Sequence, residues 1–187
     1  MSDPINHLLD EHREILAGLE GLRGAVRALE GRGDEAVAEL RPVLEAASRL
    51  LTTRLLHHAR KEDEALFPQV EAVLGVGGGP TAVMRQEHRW IKGHAMQFRA
   101  VLAELHEVEH PAVAARTAEL RELTERNASA AELHAVGTEV LQLLDLHFGK
   151  EEDILFPMAR EILDPGALEA AMRKMEELDA LDALDAP

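Results

Sequence analysis

The stretch His58-Ala59-Arg60-Lys61-Glu62-Asp63-Glu64-Ala65-Leu66-Phe67-Pro68 decides the fold of this chain, because it occurs twice. Its pattern, HxxxE followed by Leu-Phe-Pro, returns as His147-Phe148-Gly149-Lys150-Glu151-Glu152-Asp153-Ile154-Leu155-Phe156-Pro157, at an offset of 89. A shorter element, Glu11-His12-Arg13, returns as Glu87-His88-Arg89 at an offset of 76. The order is EHR, HxxxE, EHR, HxxxE. Each of these histidines stands in a run of apolar residues spaced by three and four. Ile5, Leu8, His12, Ile15, Leu19, Leu22, Val26 and Leu29 make the first run, and Val37, Leu40, Leu44, Ala47, Leu51, Leu55, His58, Glu62 and Leu66 the second. Met84, His88, Ile91, Ala95, Phe98, Leu102 and Leu105 make the third, and Leu133, Val136, Val140, Leu144, His147, Glu151 and Leu155 the fourth. That spacing is the inner stripe of a bundle helix.

Four such stripes in two repeats predict an all-α fold: an antiparallel up-down-up-down four-helix bundle with an additional short C-terminal helix. The expected domain covers residues 1–178, with helix pairs at about 3–75 and 81–163, a last helix at 165–178, and an acidic, frayed tail at 179–187. Local signals place the ends. Asp3-Pro4 reads as a cap followed by Pro in the first turn, Ser129 with Glu132 as a capping box, and Asp164-Pro165 as the start of the last helix. Gly31-Arg32-Gly33 should end the first helix and Asp34 cap the second, which Pro42 should kink or divide. The Gly75–Pro80 stretch is the clearest loop, and His110-Pro111 should open a segment running to about Asn127. Gly18, Gly21 and Gly24 weaken the first helix and point to close helix approach.

The composition excludes several classes. The chain has 187 residues, 46% hydrophobic, with 3% aromatics, no tyrosine and a formal net charge of −15. A surface so acidic is unsuited to nucleic acid or an anionic membrane. There is no apolar run long enough for a transmembrane helix, and Met1-Ser2-Asp3-Pro4 does not resemble a signal peptide, so a cytoplasmic location is expected. With no cysteine, disulfides, thiolate nucleophiles and iron–sulfur clusters are ruled out.

His12, His58, His88 and His147 can meet at one level of such a bundle. Glu62 and Glu151, four residues after a seam histidine, lie on the same inward face one turn along. Isolated carboxylates there would be strongly disfavoured by desolvation. Two carboxylates among four imidazoles predict a buried dinuclear metal site. The remaining expectations are plainer. Leu-Phe-Pro should be a helix-ending turn packed on the core, Lys61 and Lys150 should face solvent, and Glu11 and Glu87 should lie at the surface, with a hydrogen bond to a ligand histidine as the alternative. His7, His57, His94, His106, His110 and His134 fall off the seams and should be surface or boundary residues.

The order of these motifs, both Leu-Phe-Pro tails and both EH pairs resemble the hemerythrin-like, or HHE cation-binding, family over about residues 3–178. The resemblance implies a four-helix bundle with a non-haem di-iron centre ligated by His12, His58, Glu62, His88, His147 and Glu151. The implied cofactor is two iron ions (Fe2+/Fe3+) with an oxo or hydroxo bridge; zinc or manganese would suit the same donors. Lys92 stands where the oxygen-carrying hemerythrins of marine invertebrates have a further histidine. The four-histidine, two-glutamate set is more similar to bacterial hemerythrin-like proteins, iron-centre repair proteins and the hemerythrin domain of an F-box iron sensor. The implied function is binding of, or reaction with, a small oxidant (dioxygen, peroxide or nitric oxide) in sensing, storage or stress protection. A peroxide- or nitric-oxide-consuming enzyme and a non-catalytic iron-sensing module are the alternatives.

Overall fold

The computed structural model of the chain describes residues 3–75, 79–109 and 129–185, with side chains for all of these except 104–109, 184 and 185. The segment expected from His110-Pro111 to about Asn127 therefore lies outside the described residues, as do Val76-Gly77-Gly78 and the side chains of Leu105 and His106. The elements are α1 (Pro4–Gly18), α2 (Glu20–Arg32), α3 (Val37–Thr52), α4 (Arg54–Lys61), α5 (Phe67–Leu74), α6 (Pro80–Glu109), α7 (Ala130–Lys150), α8 (Phe156–Ile162) and α9 (Pro165–Asp185). A 3-10 turn, Gly33–Ala36, precedes α3, and π-helical turns, Glu62–Leu66 and Glu151–Leu155, follow α4 and α7. Among the described residues there is no strand. Among the same residues no helix is long and apolar enough to cross a membrane.

The seams pack as their spacing requires. In the described residues every apolar seam position is buried except Leu40, which is half-buried. The core divides into two apolar layers. One contains Ile15, Leu55, Ile91 and Leu144; the other contains Leu8, Leu66, Met84 and Leu155. His12 lies between Leu8 and Ile15 in sequence, His58 and Glu62 between Leu55 and Leu66, His88 between Met84 and Ile91, and His147 and Glu151 between Leu144 and Leu155. The chain thus crosses from one layer to the other four times in alternating direction, and each crossing carries its polar residues at the boundary. A helical bundle follows, with one polar stratum sealed between two apolar ones. Helix α9 packs on α1, α4, the first π turn and α5, all elements of the first repeat.

Several local expectations are met. Asp3 accepts a hydrogen bond from the Ile5 amide at 3.0 Å, Ser129 from that of Glu132 at 3.2 Å, and Asp164 from that of Ala167 at 2.8 Å. Others are corrected. Asp34 does not cap its own helix; its carboxylate accepts from the Ala130 amide at the start of α7, at 2.7 Å. Pro42 sits inside α3, and the interruption falls at Thr53 (φ −117°, ψ −80°). There the Thr52 hydroxyl donates to the Ser48 carbonyl at 2.8 Å and the Thr53 hydroxyl to that of Arg49 at 2.7 Å. Such side-chain bonds compete with the helix ladder. Leu-Phe-Pro does not end the helices. Pro68 and Pro157 lack an amide hydrogen, and in a regular helix their rings would meet the carbonyl four residues back. The chain widens instead: the Phe67 amide donates to the Glu62 carbonyl and that of Phe156 to Glu151, five residues apart, after which α5 and α8 continue. Helix α9 runs on past Leu178 to Asp185. Gly18 and Gly21 do lie against α3, where a Cβ would meet Leu50 and Val43, whereas Gly24 faces open space.

Candidate metal centre

The six expected residues converge. His12, His58, His147, Glu62 and Glu151 are 0–2% exposed and His88 is 6% exposed. Their donor atoms fall into two overlapping sets, His12, His58, Glu62 and Glu151, and Glu62, His88, His147 and Glu151, each within 4.8 Å. Both glutamates belong to both sets. The Nε2 atoms face the centre: His12 lies 3.3 Å and His147 3.0 Å from Glu151, while His58 lies 3.6 Å and His88 3.3 Å from Glu62. His12 and His58 bring their Nε2 atoms to 3.0 Å of one another.

The opposite nitrogen of every ring meets a carboxylate. His58 Nδ1 donates to Glu11 at 2.9 Å, His147 Nδ1 to Glu87 at 3.1 Å, His12 Nδ1 to Glu152 at 2.7 Å and His88 Nδ1 to Asp63 at 3.0 Å. An ionised carboxylate only accepts, so each Nδ1 carries hydrogen and each Nε2 is left for the centre. This is the outer support that metal-ligating histidines generally have. It also interlocks the repeats. The EHR glutamates hold the histidine of their own helix pair, and the acids after the HxxxE glutamates hold the EHR histidine of the other pair. The surface placement expected for Glu11 and Glu87 is therefore corrected. Asp63 and Glu152 were not singled out from sequence, although the repeat places an acid directly after each HxxxE glutamate.

The two lysines diverge. Lys61, expected at the solvent face, is 1% exposed, with Nζ 2.5 Å from Glu11, 2.5 Å from Asp179 and 3.1 Å from His7. Lys150 pairs with Glu87 and stays half-exposed, its side chain at 43%. Helix α9 causes the difference, since it covers Lys61 and supplies Asp179. His7, Glu11 and Asp179 also lie close enough to hold a cation, but the Lys61 ammonium already occupies that cluster. His7, His57, His94 and His134 are half-buried boundary residues, as expected.

The carboxylates govern the ionisation. Burial pushes Glu11 up, but the hydrogen bonds from His58 and Lys61 prevail and hold it at about 2. Burial disfavours the His88 imidazolium, yet Asp63, Glu151 and Glu62 raise it to about 11. His12 and His147 are raised for the same reason, chiefly by Glu151 against burial. Glu151 is held well below the usual carboxylate range despite its burial, by His12, His147 and His88. Aromatic rings wall the centre: Phe148 stacks on His12 with centroids 4.0 Å apart, Phe156 on His12 at 5.5 Å and Phe67 on His88 at 5.7 Å. The Leu-Phe-Pro motifs thus contribute the rings that cover the two EHR histidines.

Both side-chain oxygens of Glu62, both of Glu151 and Nε2 of His88 are buried without a hydrogen-bond partner. Such groups are normally satisfied, and although imidazoles stand 3.0–3.6 Å away, leaving a buried carboxylate without a hydrogen bond costs several kcal/mol. The orphaned atoms all point into the shared centre, so the donor set fits cations there. No curated protein and no solved structure matches the chain. The family model described as the hemerythrin HHE cation binding domain matches residues 3–125, a span that includes His12, His58, Glu62 and His88. With that match over more than half its length, the chain belongs to the hemerythrin HHE cation-binding family.

Proposed function

We propose that His12, His58, Glu62, His88, His147 and Glu151 hold two iron ions, and that this centre binds or reacts with dioxygen, peroxide or nitric oxide in cytoplasmic sensing, storage or stress protection. The observation that carries this reading is the set of orphaned carboxylate oxygens of Glu62 and Glu151, each glutamate shared between two pairs of imidazoles. Imidazole and carboxylate without thiolate suit iron, manganese or zinc, and the family favours iron. A bound iron pair supplies coordination positions and one-electron chemistry toward small oxidants. The chain's own residues do the rest. Glu11, Asp63, Glu87 and Glu152 fix the tautomer and orientation of the four rings. Glu62 and Glu151 bring two negative charges that offset cations in an interior of low polarity. Phe67, Phe148 and Phe156 restrict water.

The test is to load the anaerobic protein with ferrous iron and add each oxidant in turn. The expected result is new near-ultraviolet and visible absorption with oxygen, peroxide or nitric oxide; an unchanged spectrum with all three refutes oxidant binding. Sustained oxygen release from peroxide would identify turnover, and a single stoichiometric oxidation would identify sensing or storage.

A further inference from the structure

The two halves of the centre are equivalent by sequence repeat but not in what covers them. Phe156 over His12 and Phe67 over His88 correspond, at ring separations of 5.5 and 5.7 Å. The second ring has no counterpart. Phe148 stacks on His12 at 4.0 Å with its plane inclined by 24°, and the offset of 89 puts Ala59 at the equivalent position. On that side a cleft of about 1110 Å³ opens, and both Ala59 and His88 line it. His88 keeps 6% exposure where His12 has none. Its buried Nε2 makes no hydrogen bond, though Glu62 stands 3.3 Å away, whereas that of His12 lies 3.0 Å from Nε2 of His58.

The cleft also has the right charge for a small anion. Lys92, one turn beyond His88, lines it with Arg89. Arg89 donates to the Gln86 amide oxygen at 2.5 Å, and neither cation has a carboxylate partner among the described residues. The lining as a whole carries as many Arg and Lys as Asp and Glu, on a chain whose net charge is −15. A mouth of balanced charge, with two cations that face no carboxylate among the described residues, repels an anion less than a strongly acidic surface would.

We infer that small exogenous ligands, diatomic or anionic, enter through this cleft and bind at the half of the centre held by His88 and His147, while Phe148 closes the half held by His12 and His58. The inference rests on the metal reading above, so its test has one arm that needs no metal. The chain has no cysteine. A59C and F148C variants of the full, metal-free chain are reacted with a small anionic thiol reagent. The A59C thiol should react at least about tenfold faster, because access governs thiol reactivity. The second arm titrates azide into the iron-loaded protein and follows the absorption. A59F should weaken azide binding about tenfold or more by steric exclusion at unchanged metal content, with A59L in its place if A59F does not fold. F148A should bind azide at least as well as the unaltered protein. Equal labelling rates, or A59F and A59L proteins that bind azide unchanged, overturn the inference. If the chain holds no iron, the metal reading fails, and the labelling arm alone still decides whether access is one-sided.

Discussion

Lys61 and Lys150 occupy equivalent positions in the repeat, and the structure predicts very different consequences for removing them. Lys61→Met leaves Glu11 and Asp179 facing each other without their shared cation. Breaking a buried ion pair by deleting one partner costs about 3–5 kcal/mol. The partner side chains are 19% and 41% exposed, so water compensates part of the loss, and the lower end, about 3 kcal/mol, applies. For a domain of this size, about 1 kcal/mol moves the unfolding midpoint by about 2–4 °C, which gives a fall of about 6–12 °C. Lys150→Met removes a side chain that is 43% exposed, where such pairs contribute about 1 kcal/mol or less, a shift of no more than about 2–4 °C. The assay is thermal unfolding of both metal-free variants by circular dichroism, with hydrogen exchange read over α9. Lys61→Met should also speed exchange in α9, which Asp179 ties to the bundle. Equal midpoint shifts in the two variants, or a Lys61→Met shift as small as that expected for Lys150→Met, would refute the buried-network reasoning.

Further outcomes are expected elsewhere. Glu152→Ala and Glu87→Ala should each weaken metal binding about 10–100-fold by releasing His12 or His147, measured by competition with a chelator; unchanged affinity would remove the outer acids from the account. Metal must displace protons held on His12, His88 and His147, all raised above 6.5 in the metal-free protein, His88 to about 11. The protonated, competing form therefore persists through neutral pH, and affinity should keep rising from about pH 6 to about pH 9; a plateau beginning just above 6.5 contradicts it. A Cβ on Gly137 would come within 2.9 Å of Val26 and 3.3 Å of Phe98, whereas one on Gly24 meets nothing. Urea unfolding should show Gly137→Ala destabilised by about 1–3 kcal/mol and Gly24→Ala stabilised by about 0.5–1 kcal/mol; shifts of the same sign would count against the packing described.

The bundle and its polar stratum were legible because histidine and glutamate interrupt apolar runs at helical spacing, and do so twice. A period reports which face of a helix is inward, and that sufficed to bring His12, His58, Glu62, His88, His147 and Glu151 together. The same period is silent about what another helix lays over a residue. Lys61, three residues after His58, stands at the flank of the inward face, and its burial depends on Asp179 arriving from α9. Lys150 stands at the equivalent position of the repeat, also followed by its HxxxE glutamate, but among the described residues no helix lies over it as α9 lies over Lys61. Glu11 and Glu87 likewise look like surface acids until the imidazoles they hold, on other helices, are in place. The π turns were hidden for a different reason. Proline reads as a stop signal, and only the backbone shows that a widened turn accommodates Pro68 and Pro157 and lets the helix go on.

Whether the polar stratum is a two-metal site is decided by elemental analysis of the protein purified without added metal. Close to two metal ions per chain, iron foremost, are expected, and they should be lost in the His58→Ala, His147→Ala double variant while the far-ultraviolet helix signal persists. A chain that takes up no metal even when reconstituted with ferrous iron, or a double variant that retains its full complement, would contradict the two-metal reading.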